Sequence, residues 1–155
     1  MSLLDDLSSA IAAAAAAASP SVVGIGSRLR GSGVVIGEDR VLTNAHNLRG
    51  EEVTVTFADG RSVRGRVAGT DIDGDLAVIE VETAGVPALA WADASVAVGS
   101  VVFGLAATSG GPARVTVGTV SALARAFRGP GGRRISGSLE HTAPMAPGSS
   151  GGPMI

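Results

Sequence analysis

A chain of 155 residues that is 45% hydrophobic and 17% charged can bury a core, with room for one domain or two small barrels sharing an interface. Its net charge of −2 has no dominant sign, so neither nucleic acid nor an anionic membrane is implied as a partner. The absence of cysteine excludes disulfides, thiolate metal sites and a cysteine nucleophile together, and leaves the compartment open.

Leu3–Ala18 reads as a helix, with Asp5 and Asp6 in the first turn and an alanine run of high helix propensity. Ser19-Pro20 ends it. Two acids stand where the positive region of an export signal belongs, and no Lys or Arg precedes Arg28, so this segment reads as a retained helix. No stretch is long and apolar enough to span a bilayer.

From Ser21 the chain changes to short β-branched runs broken by glycine and aspartate. Strands are expected at Ser21–Ile25, Gly33–Ile36, Arg40–Thr43, Glu52–Phe57, Arg61–Ala68 and Leu76–Val81, with a hairpin turn at Asp59-Gly60. Six strands by about residue 82 suffice to close a small barrel. Thr83–Ser95 reads as a connector. A second run of strands follows at Val98–Leu105, Arg114–Leu123 and Arg134–Thr142, while Arg125–Arg134, with four arginines around Gly129-Pro130-Gly131-Gly132, reads as a solvated mobile loop. The expected units are a helix at 1–19, a first barrel at 20–83, a connector at 84–97 and a second barrel at 98–155.

The chemistry concentrates in Pro147-Gly148-Ser149-Ser150-Gly151-Gly152-Pro153. A serine hydroxyl needs a base to take its proton and backbone N–H groups where the substrate oxygen becomes negative. Glycines beside a serine allow the tight backbone path that aims two such N–H groups at one point. Read alone, the string is equally a Gly/Ser linker. It also matches the G-x-S-x-G elbow of α/β-hydrolases, which requires a following helix and a later histidine, and neither follows here. Partners must therefore come earlier in the chain, in the order His, Asp, Ser. The two histidines make the base His46 or His141. Among Asp71, Asp73 and Asp75, which all suit a turn, Asp75 abuts the apolar run Leu76-Ala77-Val78-Ile79, where a buried carboxylate could orient His46.

Gly31-Ser32-Gly33-Val34-Val35-Ile36, then Leu42-Thr43-Asn44-Ala45-His46, then Asp75-Leu76-Ala77-Val78-Ile79, then the Ser150 stretch, resemble in order and separation the HtrA/DegP-like branch of the trypsin-fold (chymotrypsin-clan) serine proteases. The resemblance implies an all-β double barrel with a short N-terminal helix and an active site between the barrels. It further implies a serine endopeptidase with His46 as base, Asp75 as its orienter, Ser150 as nucleophile and the Gly148 and Ser150 N–H groups as oxyanion hole. No cofactor or metal is required, and the implied partners are polypeptide substrates, including unfolded ones. Many relatives form homo-oligomers, carry a C-terminal PDZ domain and are exported, so localisation stays open.

Three departures stand out. Ser149 replaces the asparagine common before the nucleophile, and Asn47 stands where an apolar residue often follows the histidine. The wall Ala143-Pro144-Met145-Ala146 holds no acid to pair a substrate Arg or Lys, which implies a pocket for small or medium aliphatic residues. A second barrel would need about two strands beyond Ile155, so the expectation is a C-terminally truncated piece, poorly active alone and prone to aggregate through its open edges. The rival reading keeps the fold as a catalytically weak peptide-binding or chaperone-like module.

Overall fold

The computed structural model describes residues 2–92 and 95–155; Asp93 and Ala94, within the expected connector, lie outside the described residues, as does Met1. Helix α1 (Leu3–Ala18) begins where Ser2 Oγ accepts from the Asp5 N–H and the Asp5 carboxylate accepts in turn from the Ser2 N–H at 2.9 Å, a reciprocal cap. Those bonds, the Ser2 backbone N–H first and its hydroxyl second, hold the Asp5 carboxyl below its ordinary value. Leu3, Leu4 and Leu7 are exposed, and burial starts at Ala18, which packs with Val22 and Leu105.

The strands expected before residue 83 all form: β1 (Val22–Ile25), β2 (Gly31–Gly37), β3 (Arg40–Thr43), β4 (Glu52–Thr56), β5 (Ser62–Asp71) and β6 (Leu76–Glu80). They pair antiparallel in the order β1-β2-β3-β6-β5-β4, and β4 returns to β1 through Ile25 opposite Val55, so the barrel closes without an edge. Alternation decides what fills it. Val53, Val55 and Phe57 point inward along one run, Ile79 and Val81 along another, and both meet Val23, Ile25, Val35 and Val41. Ile79 is fully buried at the centre of this set, so Ile79→Ala should destabilise by about 2–5 kcal/mol, read as a lowered midpoint in urea at unchanged slope.

The second half forms an open antiparallel sheet, β7-β8-β9, from β7 (Val101–Ala106), β8 (Arg114–Arg128) and β9 (Arg134–His141). One expectation needs correction here, and another gains a detail. The correction concerns Arg125–Arg134, which is not a loop: β8 runs on to Arg128, Phe127 faces Ile135, and the turn shrinks to Pro130–Gly132. This outer ribbon is exposed and held by ladder bonds rather than by burying a face, so hydrophobic alternation gave no sign of it.

The detail is that the residues past the nucleophile loop begin to line β7. Phe103 and Ile155 exchange backbone hydrogen bonds at 2.7 and 2.9 Å, and the Leu105 N–H donates to Pro153 O at 3.0 Å. Proline lacks a donor, but its carbonyl can open a ladder. Otherwise the second sheet is incomplete beside the closed first barrel, as expected.

Candidate active site

At the end of β3 the chain makes one 3₁₀ turn, Ala45–Asn47, that carries His46 out of the barrel wall. The antiparallel pairing of β3 with β6, Thr43 opposite Ala77, brings the turn after β5 beside it. That turn separates the three acids by role. Asp71 Oδ1 accepts from the Gly74 N–H at 2.9 Å and shapes the turn, while exposed Asp73 pairs with Arg133 at the far end of the β8–β9 ribbon.

Asp75 is different. It is 9% exposed, with φ +56°, and its Oδ2 lies 2.6 Å from His46 Nδ1. Its Oδ1 accepts from the His46 N–H at 2.9 Å, and its carbonyl accepts from Ala45 N–H at 3.1 Å and from Asn44 Nδ2 at 2.9 Å. An ionised carboxylate only accepts, so Nδ1 carries the shared proton and the Nε2 lone pair is left for chemistry. His141, the other candidate, ends β9 opposite Val120, and its Nδ1 is buried without a partner. It does not join the acid.

The serine loop is a series of tight turns. Ser149 N–H donates to Ala146 O at 3.1 Å and Gly152 N–H to Ser149 O at 3.0 Å, and Gly148 lies at φ +88°, where a side chain would be strained. Ser149 is buried and Ser150 half-buried, which leaves Ser150 as the hydroxyl with access to a substrate. Among the described residues, the Gly148 and Ser150 N–H groups donate to no protein acceptor, and Ser150 Oγ makes no hydrogen bond to the imidazole.

What the sequence did not give is the joint role of the polar set that seats this loop on the first barrel, although Asn47 stood out there as a departure. Ser32 Oγ donates to Gly148 O at 2.8 Å and accepts from Ala107 N–H at 2.9 Å. Ser32 N–H donates to Ser150 O at 2.8 Å, and Thr43 Oγ1 donates to Ser32 O at 2.6 Å. Asn47 Nδ2 also donates to Ser150 O, at 2.9 Å. Ser32, Thr43 and Asn47 are each no more than 2% exposed. The available signal was a serine between Gly31 and Gly33 and a threonine closing an apolar strand, which in a sequence read as ordinary β residues.

Residues 31–155 match the model of the trypsin-like peptidase domain. The chain belongs to the trypsin-like peptidase family. Within it the similarity is to serine proteases of the HtrA/DegP type. A probable periplasmic serine endoprotease, DegP-like, of Halomonas elongata is 33% identical over 132 residues, covering 83% of this chain and 27% of the relative. Protease Do-like 5, chloroplastic, of Arabidopsis thaliana is 31% identical over 121 residues, covering 75% of this chain and 38% of the relative. The crystal structure of Deg5 superposes with a TM-score of 0.79 and 28% identity, covering 100% of this chain and 81% of that one. This trypsin-like peptidase chain thus spans between about a quarter and two fifths of those two curated relatives' length.

Proposed function

We propose that the chain carries the catalytic centre of a serine endopeptidase that cleaves peptide bonds through an acyl-enzyme. The observation that carries this reading is the 2.6 Å bond from His46 Nδ1 to a buried Asp75, with the next residue after His46, Asn47, bonded through Nδ2 to Ser150 O in the serine loop. His46 Nε2 takes the Ser150 proton as Oγ attacks the substrate carbonyl carbon. The Gly148 and Ser150 N–H groups, not engaged by protein acceptors, receive the developing oxyanion. The imidazolium then protonates the leaving amine, and water, activated by the same base, releases the acyl group. Serine and base are not yet bonded, which is common before substrate binds.

Substrate choice follows from the wall behind Ser149. A small hollow there is lined by Gly104, Thr116, Met145, Pro153 and Arg114, with no carboxylate to pair a basic side chain. Small or medium aliphatic residues at the cleavage position suit it, and polypeptides are the substrate class. The named relatives are periplasmic or chloroplastic, which makes an extracytoplasmic site the working assignment; no helix among the described residues is long and apolar enough to cross a membrane.

Labelling with a fluorophosphonate probe tests the reading. A folded sample should take up the probe at Ser150 and nowhere else, located by peptide mass mapping. No uptake by a chain with a native β spectrum would make the site scaffold without chemistry and put the peptide-binding module first.

A further inference from the structure

Asn47 follows His46 in the 3₁₀ turn and is 2% exposed, yet its side chain crosses to the serine loop. Nδ2 donates to Ser150 O at 2.9 Å and to Thr43 Oγ1 at 3.0 Å. The direction of this amide is forced by its neighbours. Thr43 commits its hydroxyl proton to Ser32 O at 2.6 Å, so its oxygen can only accept, and so can the Ser150 carbonyl. A flipped amide would set Oδ1 against two oxygens. The backbone is shaped around the group as well: a Cβ on Gly31 would fall into the amide, and one on Gly151 would fall on Ser32 O and Thr43 Oγ1 beside it.

Stability alone does not account for an amide in this place. Among the described residues its Oδ1 is buried without a partner, which is destabilising. An apolar side chain of similar shape would remove that orphan, and Ser150 O would keep its 2.8 Å bond from Ser32 N–H. The two donors on this carbonyl come from different places. Ser32, on β2, fixes the loop to the barrel wall, whereas Asn47 fixes it to the turn that holds the base.

From this we infer that Asn47 is a positioning residue: by bonding the Ser150 carbonyl to the residue next to His46, it sets the separation of base and nucleophile. The inference rests on the assignment of His46 and Ser150 made above. It acts through the backbone of the nucleophile and touches no reacting atom, so its loss should slow the chemical step and leave substrate binding alone. A displacement of about 1 Å in such a pair can lower a rate 10²-fold.

The experiment compares fluorophosphonate inactivation of the wild type, Asn47→Leu, Asn47→Ala and Ser150→Ala, alongside their melting temperatures. Both Asn47 variants should inactivate roughly 10- to 100-fold more slowly at saturating probe, with an unchanged half-saturating concentration. Asn47→Leu should melt at or above the wild-type temperature; Asn47→Ala leaves space and serves if leucine does not fit. Wild-type rates in a folded Asn47 variant overturn the inference and leave the proposed function standing. Slowing in Asn47→Ala alone, together with a lower melting temperature, would make Asn47 merely structural. If the wild type does not react, the nucleophile assignment falls and this inference falls with it.

Discussion

Ser150→Ala should lower the hydrolysis of a peptide reporter by about 10⁴- to 10⁶-fold while the chain stays folded. The fold should survive because the loop is held by the Ser150 carbonyl, which alanine keeps, through Ser32 N–H and Asn47 Nδ2. Only the hydroxyl is lost. A stability change within about 0.5 kcal/mol is expected, as for substitutions that remove no buried partner. His46→Ala should produce a loss of the same order, because the hydroxyl without its base is a poor nucleophile. The decisive comparison is the double variant. If His46 and Ser150 act as one unit, removing both should cost about as much as removing either, since the residual rate comes from the oxyanion donors and binding. Losses that multiply in the double variant would mean the two residues act separately, and the acyl-enzyme reading would not hold.

Asp75→Asn should reduce kcat by about 10⁴-fold with little change in KM, and it is the more informative change at this position. Asp75 sits at φ +56°, a left-handed conformation that asparagine tolerates and alanine does not, so the turn keeps its path. The amide oxygen can still accept from the His46 N–H, as Asp75 Oδ1 does at 2.9 Å. What changes is the other end of the group. An NH₂ facing Nδ1 donates instead of accepting, which drives the imidazole proton to Nε2, the atom that must be free to take a proton from Ser150. Steady-state kinetics of Asp75→Asn beside its thermal melt would check this. Near-wild-type kcat would remove Asp75 from the chemistry and leave it as the residue that folds the His46 turn.

Much of this molecule was legible before any coordinates. The helix Leu3–Ala18 and the six strands of the barrel announced themselves by local signals: two acids and an alanine run for the one, β-branched alternation for the others. Three of the four motif stretches nominated His46, Asp75 and Ser150, because each sets a candidate reactive residue in a distinctive local sequence. The two strands of the β8–β9 ribbon were legible, but the outward extension of β8 to Arg128 was not, because its residues are exposed and paired through the backbone, which leaves no periodic trace.

By itself, then, the sequence determined which segments extend, and it nominated His46, Asp75 and Ser150, in that order, as the candidates for chemistry. Tertiary structure supplied the contact between that acid and that histidine. Asp71, Asp73 and Asp75 share one turn, and only the closing of β6 against β3 turns the third of them toward His46, 29 residues away in the chain. It also decided the work of Ser32, Thr43 and Asn47. A polar side chain has no role written in its own neighbourhood when its partners lie on the other sheet; its hydrogen bonds exist only once water has been excluded from between them.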